Sequence, residues 1–194
     1  MLDQRGQNLT ALPHATTNLA KIDPGPHCPE TVRMIVEIGK NSTNKYEYDI
    51  DLGVFRFDRA IYSPMHYPGD CGFVPGTIAE DGYPVDVMNL VDEPSFPGCM
   101  TEVRPIGMLE MIDESETDHK FLAVPLWNPC FDQIRTMDEI PDHVRLEIEH
   151  FFEIYKELEG RTVRANGWRD LNTARSTIRT SRDRCIAGRQ QPQK

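Results

Sequence analysis

A chain of 194 residues, 39% hydrophobic and 27% charged, is long enough for one domain with a buried core and has an ordinary globular composition. No run approaches the roughly eighteen apolar residues of a membrane span, and the N-terminal residues lack the apolar stretch of a secretory signal, so we expect a soluble cytoplasmic protein. The five cysteines are scattered without a C-x-x-C pair, which favours free thiols over a disulfide framework or a zinc site.

The net charge of −10 is distributed unevenly along the chain. Residues 1–159 carry 12 Lys and Arg against 29 Asp and Glu, whereas residues 160–194 carry 9 against 2. So acidic a body argues against nucleic acid as a partner, because phosphate contacts need clustered Lys and Arg. Divalent cations could neutralise it instead. We expect the basic C-terminal part to lie against this acidic body, and RNA binding is the alternative.

The predicted elements begin after a polar stretch. Residues 1–30 are broken by Pro13, Pro24, Gly25, Pro26 and Pro29, and we predict a mobile N-terminal extension over 1–21. One domain over 22–170 and a C-terminal helix with a basic tail over 171–194 are predicted to follow it. Short β-rich runs separated by Pro and Gly predict six strands, at residues 31–38, 45–50, 54–57, 85–91, 101–111 and 121–124. Because no helix intervenes, we expect a closed, barrel-like antiparallel sheet.

Two helices are predicted after the strands. The first runs between Pro141 in its first turn and Gly160 as its stop. Apolar residues at helical spacing form one stripe along it, at Val144, Ile148, Phe151, Phe152, Tyr155 and Leu158. The second helix is predicted to begin at Asn172 as its N-cap and to run towards Ile186. The predicted fold is therefore mainly β (α+β), a barrel with two helices packed on it.

One predicted strand combines a packing face with a charged face. With the period of two that strands have, Lys45, Glu47 and Asp49 project to one side. Tyr46, Tyr48 and Ile50 project to the other and are expected to pack. This pattern is also typical of a half-exposed strand with a solvated charged side, and the strand alone does not decide between the two.

Two further segments concentrate acidic residues. A Gly-Tyr-Pro turn separates Asp81 and Asp86 at the start of a strand, and hard divalent cations bind several carboxylate oxygens at close range. Residues 113–120 contain four acids together with Lys120, and acids at this density repel one another unless cations bridge them or solvent separates them. An ordinary Asp-rich turn and a solvated acidic hairpin are the alternatives.

These segments stand in a recognisable order with others. Together with Glu37, Asp58-Arg59, Tyr67-Pro68-Gly69-Asp70, Arg104-Pro105-Ile106-Gly107 and the stretch from Phe151 to Lys156, the chain resembles the family I soluble inorganic pyrophosphatases over about residues 22–170. The resemblance implies a five-stranded OB-like closed barrel with two flanking C-terminal helices. It also implies Mg²⁺-dependent hydrolysis of pyrophosphate to two phosphates, without nucleic-acid or membrane partners, and assembly as a homo-oligomer, expected to be a hexamer. His150 stands where bacterial-length members place a helix histidine at a subunit contact.

The same resemblance implies roles for individual residues. The metal ligands would be Asp81, Asp86 and Asp118 for the tightest ions, Asp113 for an ion that arrives with the substrate, and Glu47 as its indirect counterpart. The phosphate-binding set would be Lys45, Arg59, Lys120, Tyr155 and Lys156, with Tyr67 and Glu37 lining the cleft.

Two positions depart from the pattern of this family. Tyr83 stands where a second turn aspartate would help to deprotonate the attacking water, and Cys71 stands where a tyrosine would bind phosphate or a metal-bound water. Three functions therefore remain open: an active pyrophosphatase, a weak homologue that binds metal and phosphate, and, remotely, a barrel that binds oligosaccharides or nucleotides. In an active enzyme the reaction would depend on Asp86, Tyr83 and Glu37, or on Asp70 if it substitutes as the base.

Overall fold

The computed structural model describes residues 18–190. The predicted extension therefore lies outside the described residues up to residue 17, as does the end of the predicted basic tail at 191–194. Residues 18–21 contact the domain, since the Asn18 amide donates to the Ile50 carbonyl oxygen at 3.1 Å and Leu19 N–H to the Tyr48 hydroxyl at 2.9 Å.

The described strands are β1 Val32–Ile38, β2 Asn44–Asp49, β3 Val54–Ala60, β4 Asp70–Val74, β5 Val85–Asn89, β6 Met100–Asp113, β7 Glu116–Thr117, β8 Lys120–Pro125 and β9 Val163–Arg169. The helices are α1 Asp142–Ile154 and α2 Leu171–Gln190.

Five strands close on themselves. Pairing runs from β1 to β4, β5, β8 and β6 and returns from β6 to β1, so these strands form a ring. The prediction of a mainly β fold with a closed five-stranded sheet and two helices is confirmed. One detail of it was wrong: β5 and β8 pair in parallel rather than antiparallel, because closure of the ring makes neighbours of two strands that no hairpin connects.

Strands β4, β7 and β9 were not predicted. In β4, Gly72 breaks the β-rich pattern, but a Cβ at this position would collide with the carbonyl oxygen of Ile35 on β1. The glycine is therefore required by the close approach of the two strands. Strand β9 contains Gly167 and exposed polar residues, and it exists because it pairs along the second half of β6. Strands β2 and β3 form a separate hairpin beside β1.

Helix α1 is shorter than predicted. It ends at Ile154, and a 3₁₀ turn at Glu157–Glu159 leads to Gly160, which adopts a left-handed conformation with φ 74°. Phe151 and Phe152 of the predicted apolar stripe are buried, but Leu158 at its end is 65% exposed. The early end of the helix leads the chain through this turn into β9, so Tyr155 and Lys156 directly follow α1.

Helix α2 covers the other side of the ring. Ala174 and Ile178 are fully buried in a cluster with Met108 and Phe121. Its predicted N-cap was wrong: Asn172 is the second helical residue, and it is Asp170 whose side chain accepts a hydrogen bond from Thr173 N–H at 2.8 Å. Within residues 18–190, neither helix has the apolar length that crossing a membrane requires.

Candidate active site

A cleft of about 430 Å³ opens between the β2–β3 hairpin, the edge formed by β1, β4 and β5, and the C-terminal end of α1. All the residues predicted for the site line it, with the exception of Arg59 and of Asp70, the alternative base. Those lining residues are Glu37, Lys45, Glu47, Tyr67, Cys71, Asp81, Tyr83, Asp86, Asp113, Asp118, Lys120, Tyr155 and Lys156. The tertiary structure thus brings together segments that are up to 119 residues apart in the printed sequence, from Glu37 to Lys156.

Lys120 links two of the predicted metal ligands. The first residue of β8, it reaches across to β5 and donates hydrogen bonds to Asp86 Oδ2 and, at 2.6 Å, to Asp118 Oδ1. Burial alone would lower the pKa of Lys120, but the charges of the two carboxylates outweigh it and raise the pKa well above its usual value. At Asp118 burial acts to raise the pKa, and the charge of Lys120 outweighs it, so the pKa is lowered. Both groups are therefore charged at neutral pH.

A second cation–carboxylate cluster lies at the end of β6. Lys156 donates to Asp113 Oδ2, and Arg161 stands 3.5 Å from the same oxygen and 2.9 Å from Glu114 Oε2. The other carboxylate oxygen, Asp113 Oδ1, is buried without a hydrogen-bond partner, and so is Arg161 Nε. Arg161 lines the cleft and was missed from the sequence. The available signal was a basic residue directly after the Gly160 turn, but the direction of the Arg161 side chain depends on β9, which was not predicted.

Glu37 is an acid of the cleft whose pKa is raised by burial. It stands on β1, and its Oε1 accepts a hydrogen bond from Tyr48 N–H at 2.7 Å. Burial, with a further contribution from the charge of Asp86, raises the pKa of Glu37 from 4.5 to about 7. At neutral pH this carboxyl therefore exchanges protons readily.

The β2–β3 hairpin supplies charged residues at the rim. Lys45 lies beside Glu47 and 3.4 Å from Asp58. Lys45 and Glu47 line the cleft, whereas Asp49 does not and pairs with Arg56. Residues of the predicted packing side line the cleft as well, at Tyr46, Tyr48 and Ile50. Arg59 points elsewhere: its Nε donates to Glu159 Oε1 at 2.8 Å, and its Nη1 donates to Asp58. The role of Arg59 in phosphate binding stays a prediction.

The apolar wall of the cleft carries hydroxyl and thiol donors. Tyr67 and Tyr155 both pack against Phe151, with ring centroids 5.0 Å and 5.3 Å apart. Burial raises the pKa of both phenols and of the Cys71 thiol. All three groups are therefore protonated at neutral pH and available to donate hydrogen bonds to an anion.

Tyr83 stands at the mouth of the cleft on the turn before β5. Its N–H donates to Asp81 Oδ1 at 2.9 Å, and its side chain is 68% exposed. The alternative base, Asp70, is fully buried and is not a lining residue, and its carboxylate accepts hydrogen bonds from Lys40 N–H at 2.8 Å and Ser95 N–H at 3.0 Å. Asp70 therefore serves the packing of two loops and lies outside the cleft.

The donor set of the cleft fits a hard divalent cation. Four aspartates, at positions 81, 86, 113 and 118, offer only oxygen atoms, which such cations prefer, and Asp113 Oδ1 is an acceptor in need of a partner. Within residues 18–190, no three Asp, Glu, His or Cys side chains already stand as a compact metal-binding group. Three of the four aspartates are instead held by Lys120 or Lys156, so a metal would take the place of these lysines.

The cleft combines carboxylates that can bind metal cations with lysines and phenols that can bind an anion. This combination is typical of a metal-dependent enzyme that acts on a phosphate compound. The comparisons with known proteins agree. The sequence profile of the family described as inorganic pyrophosphatase matches residues 34–186. The chain belongs to the inorganic pyrophosphatase family, whose members are metal-dependent hydrolases of pyrophosphate.

Individual relatives support the assignment. The chain is 48% identical to an inorganic pyrophosphatase of Methanosarcina mazei over 78% of its own length and 89% of the relative's. It is 43% identical to that of Thermus thermophilus over 88% and 97% of the two chains. The crystal structure of an inorganic pyrophosphatase from Thermus thermophilus superimposes with a TM-score of 0.85, covering 87% of this chain and 99% of that one.

Proposed function

We propose that this protein hydrolyses inorganic pyrophosphate to two phosphates with Mg²⁺ as its metal, in the cytoplasm. The observation that carries the proposal is the convergence in one cleft of oxygen donors and phosphate-binding cations from separate segments of the chain. Pyrophosphate carries three to four negative charges, and a cleft lined by four aspartates would repel it without bound cations. The lysines and arginine of the cleft are too few to reverse that charge by themselves.

We assign the metal to Asp81, Asp86 and Asp118, with Asp113 holding an ion that enters with substrate and Glu47 acting indirectly. Mg²⁺ takes oxygen ligands and is commonly shared between carboxylates and substrate phosphates. When bound, it supplies neutralisation of the phosphate oxygens and activation of a water for attack.

The side chains of the cleft then act on the substrate. Lys120 and Lys156, which are released from their carboxylates, donate to phosphate oxygens and neutralise charge on the departing phosphate. The buried phenols of Tyr67 and Tyr155 donate hydrogen bonds, and we place Cys71, Lys45 and Arg59 around them. These contacts orient the phosphorus for attack.

In the reaction the water oxygen bonds to one phosphorus atom and the bridging P–O bond breaks, leaving its electron pair on the second phosphate. We assign the water's proton to Glu37, because this carboxyl lines the cleft and forms no ion pair among those of the described residues. Tyr83, at the mouth of the cleft, holds the water by its hydroxyl.

The proposal is tested by phosphate release from pyrophosphate with and without Mg²⁺. Asp86→Asn should lower turnover by about 10²-fold or more, because one carboxylate serves both metal and water. Asp51→Asn removes the same charge from an exposed turn and should leave turnover unchanged. Turnover of Asp86→Asn within twofold of the wild-type protein would refute the metal-site assignment.

The second candidate function is a weak homologue that binds metal and phosphate without significant turnover. Tyr83 and Cys71, both in the cleft, favour it. The same assay separates the two functions: a wild-type protein that binds Mg²⁺ and phosphate in calorimetry but releases no phosphate from pyrophosphate is the weak homologue.

We also propose that the chain forms a homo-oligomer, with a hexamer as the expected size. On α1, His150 is exposed and Leu146 is 61% exposed, on the side of the helix that faces away from the buried Phe151 and Phe152. An exposed leucine beside a histidine on a helix surface suits a contact between subunits.

A further inference from the structure

We propose that Arg161 is a substrate-binding residue of this cleft, whose guanidinium donates to a phosphate group of pyrophosphate bound beside Asp113. The inference rests on the proposed function and adds to it a residue outside the set that the sequence predicted.

The position of Arg161 is determined by two neighbouring features. It follows the left-handed Gly160 and precedes β9, and its N–H donates to the carbonyl oxygen of Lys156 at 3.3 Å. The pairing of β9 with β6 sets Val163 opposite Asp113. Arg161 is therefore held next to both members of the Lys156–Asp113 pair, and it lines the cleft together with them.

The guanidinium has a hydrogen bond left to make. Its Nη2 is used by Glu114 and, more weakly, by Asp113, but its Nε is buried and has no partner. Buried donors are nearly always paired in folded proteins, so an unpaired one in a cleft points to a missing acceptor. The planar fork of a guanidinium matches the oxygens of a phosphate.

The carboxylate that Arg161 Nη2 contacts at 3.5 Å also has an unpaired acceptor. Asp113 Oδ1 is also buried without a partner. A donor lacking an anion next to an acceptor lacking a cation is the complement of a phosphate that arrives with a metal ion. When a cation takes the Asp113 carboxylate, Arg161 loses a weak partner and its charge becomes available to the phosphate.

Arg161 also differs from the other arginine near the site. Arg59 is committed to Glu159 and Asp58 and does not line the cleft, whereas Arg161 does. Of the two guanidinium groups, Arg161 is therefore the one placed to meet substrate without a rearrangement of the hairpin.

The test compares Arg161→Gln and Arg161→Lys with two controls. Arg164→Gln removes the same charge from an exposed position three residues further, on β9, and Glu114→Gln breaks the Arg161 ion pair while keeping the guanidinium. For each variant KM for pyrophosphate is measured, and calorimetry gives Kd for imidodiphosphate, a non-hydrolysable analogue, with Mg²⁺.

Loss of a hydrogen bond to a charged group weakens binding by about tenfold to a hundredfold, so KM and Kd should both rise by that factor in Arg161→Gln. Arg161→Lys should recover part of the loss, Arg164→Gln should match the wild-type protein, and Glu114→Gln should not weaken binding. The thermal midpoint is recorded for every variant. If Arg161→Gln does not fold, Arg161→Lys provides the test instead, and the inference then requires that KM for pyrophosphate rises severalfold in this variant.

Unchanged KM and Kd in Arg161→Gln, or an equal loss in Glu114→Gln, would show that Arg161 only holds the turn after β6. Either result overturns this inference and leaves the proposed function intact. A wild-type protein without Mg²⁺-dependent hydrolysis would instead overturn the proposed function.

Discussion

Lys156 donates a hydrogen bond to Oδ2 of Asp113, which joins the segment directly after α1 to the end of β6 across 43 residues of sequence. Both side chains are buried, with 6% and 12% of their surfaces exposed. The pair therefore connects the helix to the sheet at the site itself. Desolvating two charges is costly, and the arrangement holds only because each charge has its partner.

The first prediction concerns this pair. Lys156→Met should lower the free energy of unfolding by about 3 kcal/mol, because it leaves the Asp113 carboxylate with only the longer, 3.5 Å contact to Arg161. Adding Asp113→Asn to that variant should recover part of the loss. Urea unfolding in the presence of a chelator measures both. As a control, Arg169→Met breaks the more exposed Arg169–Glu110 pair and should cost less than about 1 kcal/mol.

The second prediction concerns pH. Glu37 has a pKa of about 7 in the folded protein against 4.5 ordinarily, so the folded state holds a proton that the unfolded state releases. Stability therefore falls as pH rises from about 4.5 to 7, by up to about 3 kcal/mol from this group. Glu37→Gln keeps an oxygen for Tyr48 N–H and removes the titration.

Unfolding at pH 5 and pH 8 without metal checks this expectation. The stability of Glu37→Gln relative to the wild-type protein should be greater at pH 8 than at pH 5. An equal difference at the two pH values would mean that the Glu37 carboxyl is ionised in the folded protein throughout this range.

The third prediction concerns Tyr83. Tyr83→Asp should raise turnover near neutral pH, by less than the roughly 10²–10⁴-fold of a positioned base, because metal already activates the water. The wild-type rate should climb into alkaline pH, and the variant should flatten that climb. Tyr83→Asn, which has similar size without a base, should not gain. Equal pH–rate profiles for the Asp and Asn variants would show that the residue at position 83 does not act on the water.

The fourth prediction concerns assembly. Light scattering at micromolar concentration should give a multiple of 22.2 kDa, six being expected. A second contact histidine, one helical turn after His150, would fall at Ile154, whose side chain cannot be protonated. We therefore expect that lowering the pH to about 5.5 dissociates little of the oligomer. Leu146→Glu should weaken it. A mass near 22 kDa for the wild-type protein would refute assembly.

Much of the site could be predicted because its residues lie in local patterns. The alternation in β2, the turn from Asp81 to Asp86 and the acidic run ending at Lys120 each show their chemistry within a few residues. Their common order along the chain then indicates one cleft. The strands with strong β-rich runs, such as β1 and β6, were predicted to within two residues at each end for the same reason.

What the sequence by itself determined is therefore the family, the closed sheet with two helices and most of the residues of the cleft. Only the tertiary structure decided where Arg161 and Arg59 point, because Arg161 depends on the pairing of β9 with β6, and Arg59 on Glu159, 100 residues away. It also decided that Gly72 lies within a strand and that α1 ends at Ile154. These features come from contacts between distant segments, and a periodicity of two or 3.6 residues carries no information about which distant partner a side chain meets.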